Sequence, residues 1–103
     1  MKPVKSITVV LRESDLAEFL ADTSDVDAAC AEYVEEYERR LTAAYPKTKC
    51  RVEFGETRGI LGHAMYVNED YTTAGSGEFQ DLVPWIEDHA NAMVNDWTWL
   101  TVA

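Results

Sequence analysis

Past Arg58 the chain contains no lysine or arginine. Across all 103 residues it has 9 basic side chains against 19 acidic ones, a formal charge of −10. Nucleic-acid phosphates and anionic lipid are themselves negative, so neither is expected as a direct partner. Proline and glycine are also scarce, at 3 and 5, while 47% of residues are hydrophobic and 11% aromatic. That balance excludes a disordered acidic tail and supplies material for a core. The longest apolar stretch, Ile7 to Leu11 interrupted by Thr8, falls far short of the roughly 20 residues a membrane span needs. Lys2 and Lys5 precede it, but it is too short for a signal peptide, and no small-residue cleavage site comes before the charges that begin at Arg12. The expectation is one cytoplasmic domain over residues 1–103.

Motifs that would name a reaction are missing too. Gly55 to Gly59 and Gly59 to Gly62 match neither the dinucleotide-binding nor the P-loop spacing. There are 2 cysteines, with no C-x-x-C pair to suggest zinc. Cys30 and Cys50 fall on apolar stripes and read as small buried residues, kept reduced in a cytoplasmic chain. His63 and His89 have no His, Cys or Asp at ligand spacing, and Glu87 and Asp88 beside His89 point elsewhere on a helix. A Cys–His or Ser–His–Asp nucleophile assembles only in the fold, so spacing alone leaves it open. A reactive thiolate, however, needs an exposed electropositive setting that neither cysteine has. No catalytic residue, metal ligand or cofactor is expected, and the chain is read as a non-enzyme.

What is present is a segregated charge pattern. Residues 13–38 hold Glu13, Asp15, Glu18, Asp22, Asp25, Asp27, Glu32, Glu35, Glu36 and Glu38 with no base. Residues 39–58 are net basic through Arg39, Arg40, Lys47, Lys49, Arg51 and Arg58, and the stretch beyond is purely acidic. Glu35 and Glu36 stand four residues before Arg39 and Arg40, the favourable orientation for helical ion pairs. Asp15, Glu18, Asp22, Asp25, Asp27 and Glu32 have no such neighbour, although Asp15, Asp25 and Asp27 also complement helix starts.

Apolar periodicity orders the elements. Ile7, Val9 and Leu11 predict a strand over Val4–Arg12, with Val10 making it apolar on both sides. Asp15 with Glu18 resembles a helix start, and Leu16, Phe19 and Leu20 form the stripe of a short helix ending near Asp22. Ser24 with Asp27 opens a long helix whose stripe is Val26, Cys30, Tyr33, Val34, Tyr37, Leu41 and Ala44, stopped by Pro46. Cys50, Val52 and Phe54 alternate with Lys49, Arg51 and Glu53 in a second strand. A turn over Gly55 to Gly59 then suggests a hairpin with a third strand, Ile60 to Val67. Pairing Phe54 with Ile60 sets Val52 opposite Gly62 and Cys50 opposite Ala64, leaving Leu61, His63 and Met65 on the outer face; a one-residue slip exchanges the faces. Asn68 to Gly77 reads as a long polar loop. The last helix starts near Glu78 or at Pro84, with Ile86, Ala90, Met93 and Trp97 buried. The order β-α-α-β-β-α implies an α+β domain with a three-stranded, mainly antiparallel sheet and helices on one face.

Two functional expectations follow. In size, acidity and lack of a catalytic motif, the chain resembles the small inhibitors that phages and mobile elements direct against CRISPR or restriction systems. This is a likeness of class, carried by no residue motif. It implies a non-catalytic protein whose carboxylates occupy a basic, normally nucleic-acid-binding surface of a partner protein or complex, because acids at helical spacing imitate a phosphate row. The candidate surface is Asp15, Glu18, Asp22, Asp25, Asp27 and Glu32, with Glu69, Asp70, Glu78, Asp81, Glu87 and Asp88 as a second patch. Trp85 and Trp99 fall off the buried stripe of the last helix and are candidate interface anchors. The alternative is a small oligomeric structural or adaptor subunit whose acidity serves solubility or salt adaptation. Either protein is expected to be a monomer or a homodimer.

Overall fold

The structure, a computed structural model, describes residues 3–55 and 63–101. In chain order the elements are β1 (Ser6–Leu11), α1 (Glu13–Phe19), α2 (Val26–Ala44), β2 (Lys49–Phe54), β3 (His63–Val67), β4 (Asp70–Thr72) and α3 (Val83–Asn95), with short 3-10 turns at Gln80–Leu82 and Trp97–Trp99. No helix of the described residues is long and apolar enough to cross a membrane.

The expected three-stranded, mainly antiparallel sheet is instead a mixed four-stranded sheet in the order β2-β1-β3-β4. β1 pairs in parallel with β2, from Ser6 opposite Lys49 to Leu11 opposite Phe54, and antiparallel with β3, from Ile7 opposite Val67 to Leu11 opposite His63. β2 and β3 therefore do not form the expected hairpin, because β1 lies between them. β1, the strand with apolar residues on both faces, lies inside the sheet with a hydrogen-bonded neighbour on each edge. A parallel pair also needs a long crossover, which α1 and α2 provide.

The changed pairing also changes the faces. Cys50 lies opposite Ile7, and Ala64 lies opposite Val10. Met65 faces the helices beside Val9, with His63 and Val67 on the same side, so the expected outward setting of His63 and Met65 is reversed. The expected positions of Ile60, Leu61 and Gly62, and the turn beyond Gly55, lie outside the described residues.

The expected ten-residue loop after Val67 proves to hold a strand. Val67 lies opposite Asp70, so Asn68 and Glu69 alone make the turn, and both have positive φ, 52° and 72°. Two positive φ values suit the right-handed twist of a tight hairpin, and asparagine tolerates that region better than most residues. The Asn68 side chain adds three bonds. Its Oδ1 accepts from the backbone N–H of Lys5 at 2.7 Å and of Ser6 at 3.2 Å, and its Nδ2 donates to the Pro3 carbonyl at 3.0 Å.

Helix ends are set by local chemistry. α1 begins at Glu13, two residues before the expected start, with Asp15 in its first turn and no side-chain cap at Arg12. Asp25, not Ser24, caps α2, its carboxylate accepting the Ala28 N–H at 3.1 Å. α2 ends at Ala44, just ahead of Pro46. Pro84 sits in the first turn of α3, where its missing N–H costs nothing. α3 stops at Asn95, so Trp97 lies beyond the helix and is 40% exposed, not on its buried stripe.

All three helices contribute to one core with the inner sheet face. Leu16 and Leu20, Ala29, Cys30, Tyr33, Tyr37 and Leu41, and Val83, Ile86 and Met93 pack on Ile7, Val9, Leu11, Val52 and Met65. Each fully buried aliphatic side chain there contributes about 1.5–3 kcal/mol. The opposite face carries Ser6, Thr8, Val10, Lys49, Arg51, Glu53, Tyr66 and Tyr71, all half-buried or exposed. Tyr66 and Tyr71, cross-strand partners, meet edge to face at 5.7 Å.

Candidate functional site

The carboxylates singled out from the sequence divide by what holds them. Asp15 was expected to lack a partner but pairs with Arg12 at 3.4 Å, one helical turn back. Asp25 serves as the α2 cap. Glu32, also expected to be free, accepts from the Thr101 N–H at 3.0 Å and from the Thr101 hydroxyl, tying the C-terminal segment to α2. Arg39 and Arg40 both converge on buried Glu36, the latter at 3.0 Å, so Glu35 does not receive the i+4 partner its spacing suggested. Glu18, Asp22 and Asp27 are exposed and make no ion pair among the described residues. They follow one another through α1, the connection and the first turn of α2.

The second set is dispersed. Glu69 lies on the β3–β4 turn, Asp70 on β4, Glu78 ahead of the 3-10 turn that contains Asp81, and Glu87 and Asp88 on α3. All are exposed except half-buried Glu87. They sit on four separate stretches of chain and do not share one element.

The tryptophans are placed in three ways. Trp85 on α3 is 66% exposed. Trp99 is half-buried, its indole N–H donating to the Met93 carbonyl at 2.8 Å and its ring edge-on to Tyr33 at 5.7 Å. Trp97 stacks on Trp99 at 5.5 Å and reaches Phe19 of α1 at 5.7 Å. Phe19 is 54% exposed although its spacing suggested core.

Beside Phe19 lies an open groove of about 290 Å³, lined by Leu11, Leu16, Tyr33 and Val94 with Arg12, Asp15 and His63 on its walls. Neither Phe19 nor Trp97 was recognised from the sequence as a surface residue. One signal was present: Phe19 follows Asp15 by four and Glu18 by one, so it stands where the apolar stripe of α1 meets its acidic face.

His63 is the other focus of polar groups. Its Nε2 lies 3.5 Å from Glu87 Oε1, both side chains about two-fifths exposed. Two further cavities, of about 210 and 310 Å³, open on either side of this pair. The first has an apolar floor of Val9, Leu11 and Met65 beside Tyr33 and Tyr37. Tyr37 is committed to structure, its hydroxyl donating to the Ile86 carbonyl at 3.2 Å while burial pushes its ionisation far upward. Both cysteines are free thiols. Burial raises the Cys30 thiol, with Glu13 and Asp27 adding to the effect, and raises Cys50 together with Glu38. That is the opposite of what a nucleophilic thiolate requires. No cluster of three His, Cys, Asp or Glu suited to a metal ion occurs among the described residues.

Comparison of the chain with protein-family models, with curated proteins and with solved structures gives no match. Among the described residues, Glu18, Asp22 and Asp27 are exposed and make no ion pair, and Phe19, next in sequence to Glu18, stands exposed against Trp97.

Proposed function

We propose that this protein is a non-catalytic binding protein whose α1–α2 corner engages a basic surface of a partner protein, in the manner of a nucleic-acid mimic. The observation that carries the reading is that Glu18, Asp22 and Asp27, successive along the chain through α1, the connection and α2, are exposed and make no ion pair among the described residues. Exposed carboxylates that make no ion pair can be approached by a partner's cations, whereas Asp25 and Glu32 already accept hydrogen bonds from the Ala28 and Thr101 backbone N–H groups. Such carboxylates would occupy a basic groove that normally holds phosphates, with fast and salt-sensitive association. In this reading acidity serves inhibition or regulation of the partner.

The test is affinity capture from the native host, followed by titration of the captured partner against Glu18→Lys, Asp22→Lys and Asp27→Lys. Each reversal should weaken binding at least about tenfold and flatten its dependence on salt. A partner bound equally well at low and high salt removes the electrostatic reading.

A second reading, a homodimeric or adaptor subunit, draws on the outer sheet face. There Val10, Tyr66 and Tyr71 present partly apolar surface with no helix among the described residues packed on it. Light scattering separates the two: a strict monomer at micromolar concentration disfavours the subunit. Loss of structure on removing salt would instead identify the acids as salt adaptation.

A further inference from the structure

We propose that the cavity lined by β1, β3, α2 and α3 beside the His63–Glu87 pair binds a small organic amine, its apolar body on the cavity floor and its ammonium on the Glu87 carboxylate. Glu87 is none of the three carboxylates that carry the binding-protein reading, so the cavity and the acidic corner stand or fall separately. The cavity holds about 210 Å³. Pockets for drug-sized ligands run from about 300 Å³ upward, so this one admits a single ring with a short arm. Its floor is Val9, Leu11 and Met65, each at least nine-tenths buried. Tyr37 forms a fixed wall, tied by its hydroxyl to the Ile86 carbonyl at 3.2 Å, and Tyr33 stands edge to face with it at 6.1 Å.

The lining sets the charge of the occupant. It contains no lysine or arginine among the described residues, and its one carboxylate is Glu87. The cavity of about 310 Å³ across the pair repeats this: His63 and Glu87 line it, again without lysine or arginine. An anion would meet a carboxylate with no fixed cation beside it, whereas an ammonium gains an opposite charge. Glu87 and His63, 3.5 Å apart, are each about two-fifths exposed, so a ligand reaches the carboxylate from solvent. A neutral imidazole there leaves Glu87 its charge. Asn91, four residues further along α3, lines the same cavity and adds an amide oxygen that accepts from N–H. The two tyrosines suit an organic cation as well, since aromatic faces attract positive charge.

The probes are phenethylamine, phenethyl alcohol and phenylacetate, in which one ring and a short arm carry a cation, a neutral group and an anion. Each is titrated into the isotope-labelled protein and followed by amide NMR at about pH 8, where an ordinary imidazole is neutral. The amine should bind with a Kd of about 1 mM, roughly two- to fivefold tighter than the alcohol, the effect of a half-exposed ion pair, and phenylacetate should bind weakest. Its shifts should centre on Met65, Ala90 and Asn91. Glu87→Gln should reduce the amine to the affinity of the alcohol, and Ala90→Phe, which fills the cavity from α3, should abolish binding of both. Far-UV circular dichroism checks that each variant is folded, and Glu87→Gln, at a half-exposed position, keeps the test valid if Ala90→Phe is not.

An amine bound no tighter than the alcohol, or held equally well by Glu87→Gln, overturns the proposal, as does tightest binding of phenylacetate. Shifts centred on Glu18, Asp22 and Asp27 assign the amine to the acidic corner, which overturns the cavity and leaves the binding-protein reading intact. No shift from any probe up to about 10 mM also overturns it, since a site of the expected strength would be about nine-tenths filled there. Capture of the native partner decides the acidic corner independently of all these outcomes.

Discussion

Asn68 on the β3–β4 turn holds the backbone N–H of Lys5, its Oδ1 accepting at 2.7 Å across 63 residues of sequence. One side chain thus secures a tight turn and the approach to the central strand. The two roles are separable. Asn68→Gly keeps the positive φ but removes the three side-chain bonds, and should cost about 1–2 kcal/mol. Asn68→Ala loses both and should cost more, by roughly a further 1 kcal/mol. Urea denaturation of the two variants reads the difference.

Glu38 on α2 performs a comparable service for the sheet edge. Its Oε1 accepts the Val52 N–H of edge strand β2 at 3.0 Å. Glu38→Ala should destabilise the fold by about 1–2 kcal/mol, because a half-buried amide loses a charged acceptor. Glu38→Gln should retain most of that, since an amide oxygen still accepts. Hydrogen exchange at Val52 should accelerate in the alanine variant and much less in the glutamine one.

Alkaline instability should centre on Tyr37. Burial raises its ionisation first, with Tyr33, Glu87 and Tyr45 adding repulsion. The folded state therefore keeps the phenolic proton at pH values where the unfolded chain has released it. The stability linked to this group is complete below about pH 10 and is lost as pH rises beyond it. Chemical denaturation between about pH 8 and about pH 11 should show falling stability. Tyr37→Phe should start less stable, for want of the bond to Ile86, but show a flatter alkaline limb.

The thiols should be sluggish. Cys30 is 3% exposed and Cys50 half-buried, and burial raises both ionisations. A disulfide reagent at neutral pH should modify the native protein slowly and the urea-unfolded protein quickly. Glu38→Gln should speed Cys50 by removing the second cause of its shift, while Cys30, which responds to Glu13 and Asp27, should not change.

The elements of this fold were largely legible, and their partners were not. The apolar spacing on α2 located Cys30, Tyr33, Tyr37 and Leu41 in the core, and Pro46 marked the helix end. Periodicity, however, reports which face of a segment is apolar and not which segment it meets. Hence adjacency in sequence suggests a hairpin of β2 and β3, whereas β1 lies between them. β4 went unread because Asp70–Thr72 is only 3 residues and polar at its start.

The Arg12–Asp15 pair joins positions i and i+3 and was legible from spacing alone, whereas Glu32 and Thr101 stand 69 residues apart and only the fold brings them together. Phe19 and Trp97 escaped notice because their contact joins two ends of the described chain.

The sheet order carries a consequence for biosynthesis. Its central strand leaves the ribosome before either neighbour, and both β2 and β3 must follow before β1 is paired on its two edges. Until then Ile7, Val9, Val10 and Leu11 travel as an unpaired apolar ribbon, held off only by whatever α1 and α2 can cover early. Newly made chains should therefore engage holding chaperones until β3 has emerged, and truncations within α2 should be aggregation-prone.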